Sequence, residues 1–169
     1  MTQSWKGYRQ MSINLTFVHA GMMNGTAPDD GHELFYYAYR AFTAAPDALL
    51  ERRGWGRVHH RLLHFIGRNP GIAVNQLLDK LGVSKQALHG PLKSLLEAGL
   101  VVAETGSEDR RIRQLALTEA GRKAEEELSG PQLRLLREVF AECGEDAVRQ
   151  WDAVMRALAR RQHPIENES

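Results

Sequence analysis

The stretch from residue 74 to residue 99 restricts the possible folds of this chain most, because its apolar residues have the spacing of two short helices joined by a tight turn. The first helix has an apolar face formed by Val74, Leu77, Leu78 and Leu81. Gly82 follows where this helix must end, since glycine adopts the left-handed conformation at little cost. Ser84 can then cap the second helix, because its hydroxyl accepts a hydrogen bond from a free backbone N–H. The pattern predicts a helix-turn-helix with Val83 in the core of the turn.

The second helix of this motif, predicted over residues 84–98, has one apolar and one polar side. The inward side carries Leu88, Leu92, Leu95 and Leu96. The outward side carries Lys85, Gln86, His89 and Lys93. A helix with such groups near its N-terminus can contact base edges in a major groove and the flanking phosphates; the alternative is an ordinary polar surface helix. Pro91, beside Gly90, costs about 3 kcal/mol in a helix interior and predicts a bend near that point.

A charged hairpin is predicted directly after this helix. Apolar runs at residues 100–102 and 115–117 flank a polar tip that contains Asp109 and Arg111. The planar guanidinium of Arg111 suits a narrow, negative minor groove, and Asp109 can hold it through a charge-assisted hydrogen bond. Taken alone, the tip fits an ordinary surface hairpin with a salt bridge equally well, but the helix-turn-helix before it favours a DNA-binding wing. The predicted DNA-contacting residues are therefore Ser84, Lys85, Gln86, His89, Lys93, Asp109, Arg110, Arg111 and Arg113.

This combination resembles the MarR family of winged-helix transcriptional regulators. The resemblance extends from about residue 31 to residue 162, and its most specific part is the segment 109–121, which reads Asp-x-Arg-x3-Leu-x-Leu-Thr-x2-Gly. It implies a mainly α fold with a small β-hairpin wing, that is, a winged helix-turn-helix. It also implies that helices at the N- and C-terminal ends of the domain join two subunits into a homodimer. It also implies a repressor that binds a near-palindromic DNA operator and is released by a small aromatic or phenolic ligand.

The sequence pattern divides the chain into an N-terminal tail, residues 1–30, and one domain, residues 31–169. The tail contains a short alternation of apolar and polar residues and a loop rich in Gly, Pro and Asp, so we expect it to be mobile or partly ordered. Within the domain, residues 32–56 and 119–162 are predicted dimerisation helices, and residues 57–117 are the predicted winged helix-turn-helix lobe.

Apolar segments near both ends of the domain favour a subunit interface. Residues 34–42 are apolar or aromatic nearly all round, and a helix without a polar face is normally buried on several sides. The C-terminal helices carry two apolar stripes, Leu133, Leu136, Val139 and Phe140 in the first and Val148, Trp151, Val154, Met155 and Leu158 in the second. We expect these surfaces to meet in a homodimer. The alternative is that they pack into a helical bundle within one chain.

Charge and cysteine content agree with this interpretation. The net charge is only +1, from 22 Lys and Arg against 21 Asp and Glu, so a DNA-binding protein of this composition must concentrate its positive charge. The arginines between residues 52 and 68 serve either as phosphate contacts or as solvated helix ends. Cys143 is the single cysteine, which excludes an intramolecular disulfide and fits a reducing compartment, so a cytoplasmic protein is expected. No apolar run reaches the ~18 residues of a membrane span.

The family resemblance implies a ligand pocket where the dimerisation helices meet the DNA-binding lobe. The residues predicted to line it are Tyr37, Arg40, Trp55, His59, His60 and Leu63. Aromatic walls with a cation and imidazoles suit a planar anionic ligand, such as an aromatic carboxylate or a phenol. Arg40 is the predicted partner of the carboxylate. The alternative is that the same residues fill the junction without leaving a cavity.

Three other functions are weighed against a ligand-responsive regulator. A metal-responsive regulator of the same fold could use His59, His60 and His64, because the last two share a helix face. No second ligand pair is visible in the sequence, so no metal or cofactor is predicted. The sequence also lacks a Gly-x-Ser-x-Gly elbow and a His-Glu-x-x-His pair, so no enzyme activity is predicted. The arginine-tipped hairpin argues against a winged helix that binds only other proteins.

Overall fold

The computed structural model describes residues 31–105 and 113–161. They belong to two compact units, one that ends at Tyr39 and one that begins at Arg40. The elements in chain order are α1 (Gly31–Arg52), α2 (Arg57–Arg68), β1 (Ile72–Ala73), α3 (Val74–Leu81), α4 (Lys85–Glu97), β2 (Val101–Thr105), β3 (Arg113–Leu117), α5 (Glu119–Cys143) and α6 (Glu145–Ala159). The predicted mainly α fold with a small β-hairpin is confirmed. The predicted tail, residues 1–30, lies outside the described residues.

The predicted helix-turn-helix is formed by α3 and α4. Gly82 takes the left-handed conformation, with φ 61° and ψ 34°, and its N–H donates to the carbonyl oxygen of Leu78 at 2.9 Å. Ser84 caps α4, because its Oγ accepts a hydrogen bond from the N–H of Ala87 at 3.2 Å. Val83 packs against the core from the turn. These short-range contacts fix the direction in which α4 leaves α3.

α4 runs as one helix across Pro91. Leu92 and Leu95 lie beyond the proline and continue the buried face that Leu88 begins. Full burial of a leucine side chain contributes about 1.5–3 kcal/mol, which offsets the roughly 3 kcal/mol that a proline costs in a helix interior. The helix predicted over residues 84–98 therefore forms despite the proline.

The hydrophobic core lies around α2, whose Leu62, Leu63 and Ile66 are fully buried. The other elements contribute Leu77 from α3, Leu88 and Leu95 from α4, Val101 from β2, Leu115 from β3 and Leu128 from α5. Because α2 contacts α3, α4, β3 and α5, it holds the helix-turn-helix, the sheet and the long C-terminal helix in fixed positions relative to one another.

The three strands form an antiparallel sheet in the order β1-β3-β2. Leu115 of β3 pairs with Ala103 of β2 on one side and with Ile72 of β1 on the other. β1 is only two residues long, and the sequence pattern did not predict it. Leu115 and Leu117 face the core and are buried, whereas Arg113 at the start of β3 is exposed. The base of the β2–β3 hairpin is therefore anchored both by β1 and by the core.

The Leu-Thr-x2-Gly segment joins the sheet to α5 through a close backbone contact. Thr118 Oγ1 donates to the carbonyl oxygen of Gly99 at 2.8 Å and accepts from the N–H of Gly121 at 3.0 Å. A Cβ added to Gly121 would lie 2.0 Å from the carbonyl oxygen of Leu100, far inside contact distance. Thr118 is therefore the N-cap of α5, and glycine at position 121 is required by this approach of the two segments.

The C-terminal helices α5 and α6 meet at Gly144. The positive φ of 87° at this residue favours glycine and ends α5. Phe140 then packs edge-on against Trp151, with ring centroids 5.5 Å apart. Within residues 31–105 and 113–161, no helix is both long and apolar enough to cross a membrane.

Candidate nucleic-acid interface

The outer face of α4 is polar and open. Gln86, His89 and Lys93 are exposed, and their spacings of three and four residues place them on one side of the helix. The leucines of the opposite side are buried in the core. Lys85 is exposed in the first turn, and this turn, which the structure describes in full, holds no acidic residue. The positive end of the helix dipole therefore adds to the charge of Lys85, an arrangement that suits phosphate groups.

Lys93 has one acidic neighbour on the same face. Its Nζ lies 3.7 Å from Oε1 of Glu97, and both side chains are about two-thirds exposed. Exposed pairs of this kind contribute little free energy and are screened by salt. The lysine can therefore exchange this carboxylate for a phosphate at little cost.

The β2–β3 hairpin lies next to this helix, because β2 contacts α4. The described ladder ends at Arg113, which is exposed. Residues 106–112, with Asp109, Arg110 and Arg111, lie outside the described residues. The structure thus shows that the base of the predicted wing, formed by β2 and β3, lies beside α4. The contacts of the wing tip stay a prediction.

Arginines at the end of α1 and the start of α2 are used within the chain. Arg57 binds Asp47 through two hydrogen bonds, Nε to Oδ1 at 2.8 Å and Nη2 to Oδ2 at 2.6 Å. The hydrogen bond from Arg57 holds the pKa of Asp47 below its usual value. Arg53 forms an ion pair with Glu127 of α5. These two arginines therefore already have carboxylate partners within the chain, so the predicted phosphate contacts concern the other arginines between residues 52 and 68.

Two residues of the predicted ligand pocket, Trp55 and His59, stack on each other. Their ring planes are 6° apart with centroids at 5.6 Å, and the guanidinium of Arg53 lies 5.2 Å from the Trp55 ring. His59 Nδ1 accepts a hydrogen bond from the N–H of Gly56 at 3.1 Å, and burial lowers the pKa of His59. The stack closes the turn between α1 and α2.

The other predicted pocket residues have different surroundings. Leu63 is fully buried and belongs to the core. His60 is half-buried and faces α5. Arg40 is exposed near the middle of α1, and Tyr37 is exposed in the unit that ends at Tyr39. The structure therefore brings Trp55 and His59 together, and the pocket as a whole stays a prediction.

A chain of hydrogen bonds connects α2 to α5. His60 Nε2 lies 3.0 Å from Ser129 Oγ, and Ser129 Oγ donates to Glu125 Oε1 at 2.6 Å. The same Glu125 oxygen lies 3.0 Å from His64 Nδ1. Because Ser129 gives its single hydroxyl hydrogen to Glu125, its oxygen must accept a hydrogen bond from the Nε2–H of His60. The network therefore determines which ring nitrogen of neutral His60 carries the proton.

The surroundings of this network also shift the ionisation of its members. Burial lowers the pKa of His60, and the nearby His64 lowers it further. Burial raises the pKa of Glu125, but hydrogen bonds from Ser129 and His64 outweigh this effect and keep the pKa below its usual value. A neutral His60 and a charged Glu125 are thus the forms that the fold favours.

The three histidines of α2 do not converge on one point. His59, His60 and His64 have Gly56, Ser129 and Glu125 as their respective partners. Across the described ranges, no group of three His, Cys, Asp or Glu side chains is arranged to hold a metal ion. The metal-responsive alternative gains no support from this part of the chain.

A cleft of about 360 Å³, which the sequence did not reveal, lies between residues of α2, β3 and α5. Its lining consists of His64, Gly67, Arg68, Leu117, Arg122, Glu125 and Glu126. Leu117 contributes an apolar side chain to the lining, and its Cδ1 would lie 2.9 Å from a Cβ added to Gly67. Arg122 donates to the carbonyl oxygen of Leu117 at 3.1 Å. Because the walls come from segments far apart in the chain, only Gly67 within the helical pattern of α2 could have signalled a close approach.

Comparison with known proteins identifies the family. A sequence profile described as MarR family matches residues 50–112, which include α2, the helix-turn-helix and β2. The HTH-type transcriptional regulator PetP of Rhodobacter capsulatus is 43% identical over 136 residues, which are 79% of this chain and 82% of PetP. The chain belongs to the MarR family. As a MarR-family member it is a helix-turn-helix transcriptional regulator.

Solved structures share the fold of this MarR-family chain. A MarR-family transcriptional regulator from Silicibacter pomeroyi has a TM-score of 0.66 at 19% identity, over 81% of this chain and 94% of that one. The MepR–DNA complex of S. aureus has a TM-score of 0.63 at 16% identity, over 77% of this chain and 94% of MepR. At such identities the likeness establishes the fold, and the bound DNA is a property of MepR.

Proposed function

We propose that this MarR-family chain is a sequence-specific DNA-binding repressor that acts as a homodimer. The observation that carries the proposal is the outer face of α4, where Gln86, His89 and Lys93 are exposed opposite a buried leucine face. A helix of this kind reads base edges when it lies in a major groove. The adjoining β2–β3 hairpin then reaches the neighbouring minor groove.

Each predicted DNA-contacting residue has a role in this proposal. Gln86 and His89 contact base edges, because amide and imidazole groups offer both donors and acceptors. Arg111 enters the minor groove and is oriented by Asp109. The residues assigned to phosphates are Ser84, Lys85, Lys93, Arg110 and Arg113.

The homodimer is supported by apolar side chains that a single chain leaves exposed. On α6, Trp151, Val154 and Leu158 are each between 41% and 54% exposed. The part of α1 in the unit that ends at Tyr39 carries a second set, Leu34, Phe35, Tyr36, Tyr37 and Tyr39. Groups of exposed apolar residues mark interaction surfaces, and two-fold dimers are the commonest assemblies. Two-fold symmetry also matches a near-palindromic operator.

In the proposed mechanism a small aromatic or phenolic ligand releases the dimer from DNA. Trp55 and His59 supply aromatic surface, and Arg40 supplies the cation for a carboxylate. The cleft beside Arg68 and Arg122 is a second candidate location, because these two cations line it together with the apolar side chain of Leu117; Glu125 and Glu126 also line it, so a bound anion must lie on the arginine side. Release requires that the ligand bind more tightly to a dimer whose α4 helices no longer match the operator spacing.

Selection of bound duplexes from random-sequence DNA tests the DNA-binding part of the proposal. We expect an enriched near-palindrome whose half-sites are centred about 10 base pairs, or a multiple of this, apart. Gln86→Ala and His89→Ala should each relax the preference at one or two base pairs. Gln150→Ala, which alters an exposed glutamine on α6, is the matched control and should leave the enriched sequence unchanged. A pool without enrichment contradicts the proposal, and so does a sequence that neither α4 variant alters.

Two further assays address repression and release. Transcription in vitro from a promoter that overlaps the selected sequence should fall when the protein is added; a rise would make the protein an activator. Aromatic acids, with salicylate as the first probe, are then titrated against the protein–DNA complex. Release that Arg40→Ala abolishes supports the predicted pocket that includes Arg40, and release that only Arg68→Ala abolishes supports the cleft. No release by any acid would contradict control by an aromatic acid.

A further inference from the structure

Gly90 occupies the centre of the outer face of α4. It lies four residues after Gln86 and three before Lys93, directly after His89, so outward-facing side chains surround it. The residue itself is exposed. A Cβ added there would meet no atom within 4 Å, apart from its chain neighbours and the backbone of its own helix. The backbone at this point is therefore open to whatever binds the outer face.

Packing within the described chain does not require a glycine at this position. Glycine is less stable than alanine in the middle of a helix, because it loses more conformational freedom on folding. At Gly82 a positive φ accounts for the glycine, and at Gly121 a close backbone contact does so. Gly90 has neither feature, since its φ is not positive and the space beside it is empty.

The proline that follows Gly90 does not require glycine either. A proline disfavours the helical conformation of the residue before it, partly through a clash with the Cβ of that residue. However, α1 of the same chain contains Ala45 before Pro46 within a continuous helix. An alanine is therefore accepted before one helical proline in this fold, whereas Gly130 precedes another. The proline alone does not decide which residue stands before it, and at position 90 the glycine lies on the exposed outer face of α4.

We infer that Gly90 is the point at which the backbone of α4 comes closest to the bases of bound DNA. An α-helix with its side chains is about 10–12 Å in diameter and the major groove is about 12 Å wide, so the helix enters with little room to spare. Without a Cβ at its centre, the outer face lies deeper in the groove, which brings Gln86 and His89 within reach of the base edges. Gly90 is thus a positioning residue that acts through its neighbours. The inference rests on the proposed function, in which α4 is the recognition helix.

The test compares Gly90→Ala with Gly130→Ala. Gly130 is a matched control, because it also precedes a proline, Pro131, inside a helix, and its added Cβ would meet only the end of the Arg134 side chain at 3.3 Å. Affinity is measured for a duplex selected by the parent protein and for a scrambled duplex of the same composition. The ratio of these affinities is a readout that a merely structural role would not change.

Gly90→Ala should weaken binding to the selected duplex by about fivefold or more, which corresponds to the loss of one good base contact. Binding to the scrambled duplex should change by less than about twofold, because phosphate contacts dominate there. Gly130→Ala should leave both affinities unchanged. Unchanged affinity of Gly90→Ala for the selected duplex overturns the inference, and so does an equal loss for both duplexes.

Thermal unfolding separates binding from folding. In the absence of a clash with Pro91, Gly90→Ala should raise the Tm by about 1–4 °C. If its Tm falls instead, the comparison is made in a Pro91→Ala background, where that clash is removed. The double variant should then melt higher than Pro91→Ala yet bind the selected duplex more weakly, and equal binding by the two overturns the inference.

Variants of the flanking residues show which proposal has failed. If Gln86→Ala and His89→Ala weaken binding to the selected duplex while Gly90→Ala does not, only the inference about Gly90 fails. If none of the three variants changes binding, the proposed recognition role of α4 fails as well.

Discussion

Replacing Gly121 by alanine is expected to destabilise the chain strongly, because the start of α5 lies against the backbone that leads into β2. The added Cβ would lie 2.0 Å from the carbonyl oxygen of Leu100, whereas real Cβ atoms essentially never come within 3.0 Å of another heavy atom. The obstacle is main chain and cannot rotate away as a side chain can. The two segments must therefore separate by about 1 Å, a strain that protein interiors resist because they are closely packed.

The expected loss of stability has two parts. Overpacking of a tight site costs about 1–3 kcal/mol. The separation also stretches the hydrogen bonds from Thr118 to the carbonyl oxygens of Gly99 and Leu100, now 2.8 Å and 3.0 Å long, and each is worth about 0.5–1.5 kcal/mol. A total loss of about 2–6 kcal/mol corresponds to a fall in Tm of roughly 4–24 °C for a chain of this size.

Thermal unfolding followed by circular dichroism measures this loss. All variants must be compared at one protein concentration, because the proposed dimerisation would make the Tm concentration-dependent. Gly67→Ala is the graded control, since its Cβ would meet the movable end of the Leu117 side chain at 2.9 Å and not backbone. A Gly121→Ala protein that melts within about 2 °C of the parent, or no lower than Gly67→Ala, would refute the reasoning.

Three further predictions concern pH, assembly and DNA contacts. Burial lowers the pKa of His60 below the value of about 6.5 that it has in an unfolded chain, so the unfolded state takes up the proton first as the pH falls. The contribution of neutral His60 to the free energy of unfolding is therefore complete above about pH 6.5 and decreases as the pH drops toward the pKa of the folded state. Urea unfolding at about pH 7.5 and about pH 5.5 should show a smaller loss for His60→Gln than for the parent, and equal losses would argue against this origin. Trp151→Glu should sediment as a monomer or as aggregate while Gln150→Glu stays dimeric, and a folded monomer of the unmodified protein at micromolar concentration would exclude the proposed dimer. Arg111→Ala should cost about 1–3 kcal/mol of binding free energy, and the loss should be largest for duplexes with A·T-rich flanks. Lys93→Ala should weaken binding to all duplexes alike and lower the slope of log affinity against log salt concentration by about one unit. Titrations at several salt concentrations distinguish the two variants, and an Arg111→Ala loss that is independent of the flanks would place Arg111 outside the minor groove.

The features that could be predicted from sequence depend on residues close together in the chain. The turn at Gly82, the cap at Ser84 and the cap at Thr118 each involve contacts across a few residues, which spacing and residue type reveal directly. The polar outer face of α4 follows from helical periodicity for the same reason. These local rules were sufficient to predict the helix-turn-helix and the start of α5.

The features that the sequence did not reveal depend on residues that only the folded chain brings together. The strand β1 exists because Ile72 pairs with Leu115. The hydrogen bond between His60 and Ser129 joins residues 69 positions apart, so the sequence left His60 among candidate ligand or metal contacts. The cleft next to Arg68 needs three separate elements to form its walls. Periodicity carries no information about such distant partners.

The length of α5 has a consequence for how the proposed dimer responds to small changes. This helix extends over 25 residues, or about 37 Å at 1.5 Å per residue. Its first half is tied to α2 through Glu125 and Ser129, whereas its second half carries exposed apolar residues such as Leu133 and Val139. A tilt of about 5° at the far end displaces the near end by about 3 Å, close to the rise of one base pair. In the proposed dimer, α5 would therefore act as a lever that converts a slight repacking between subunits into a shift of one step along the DNA.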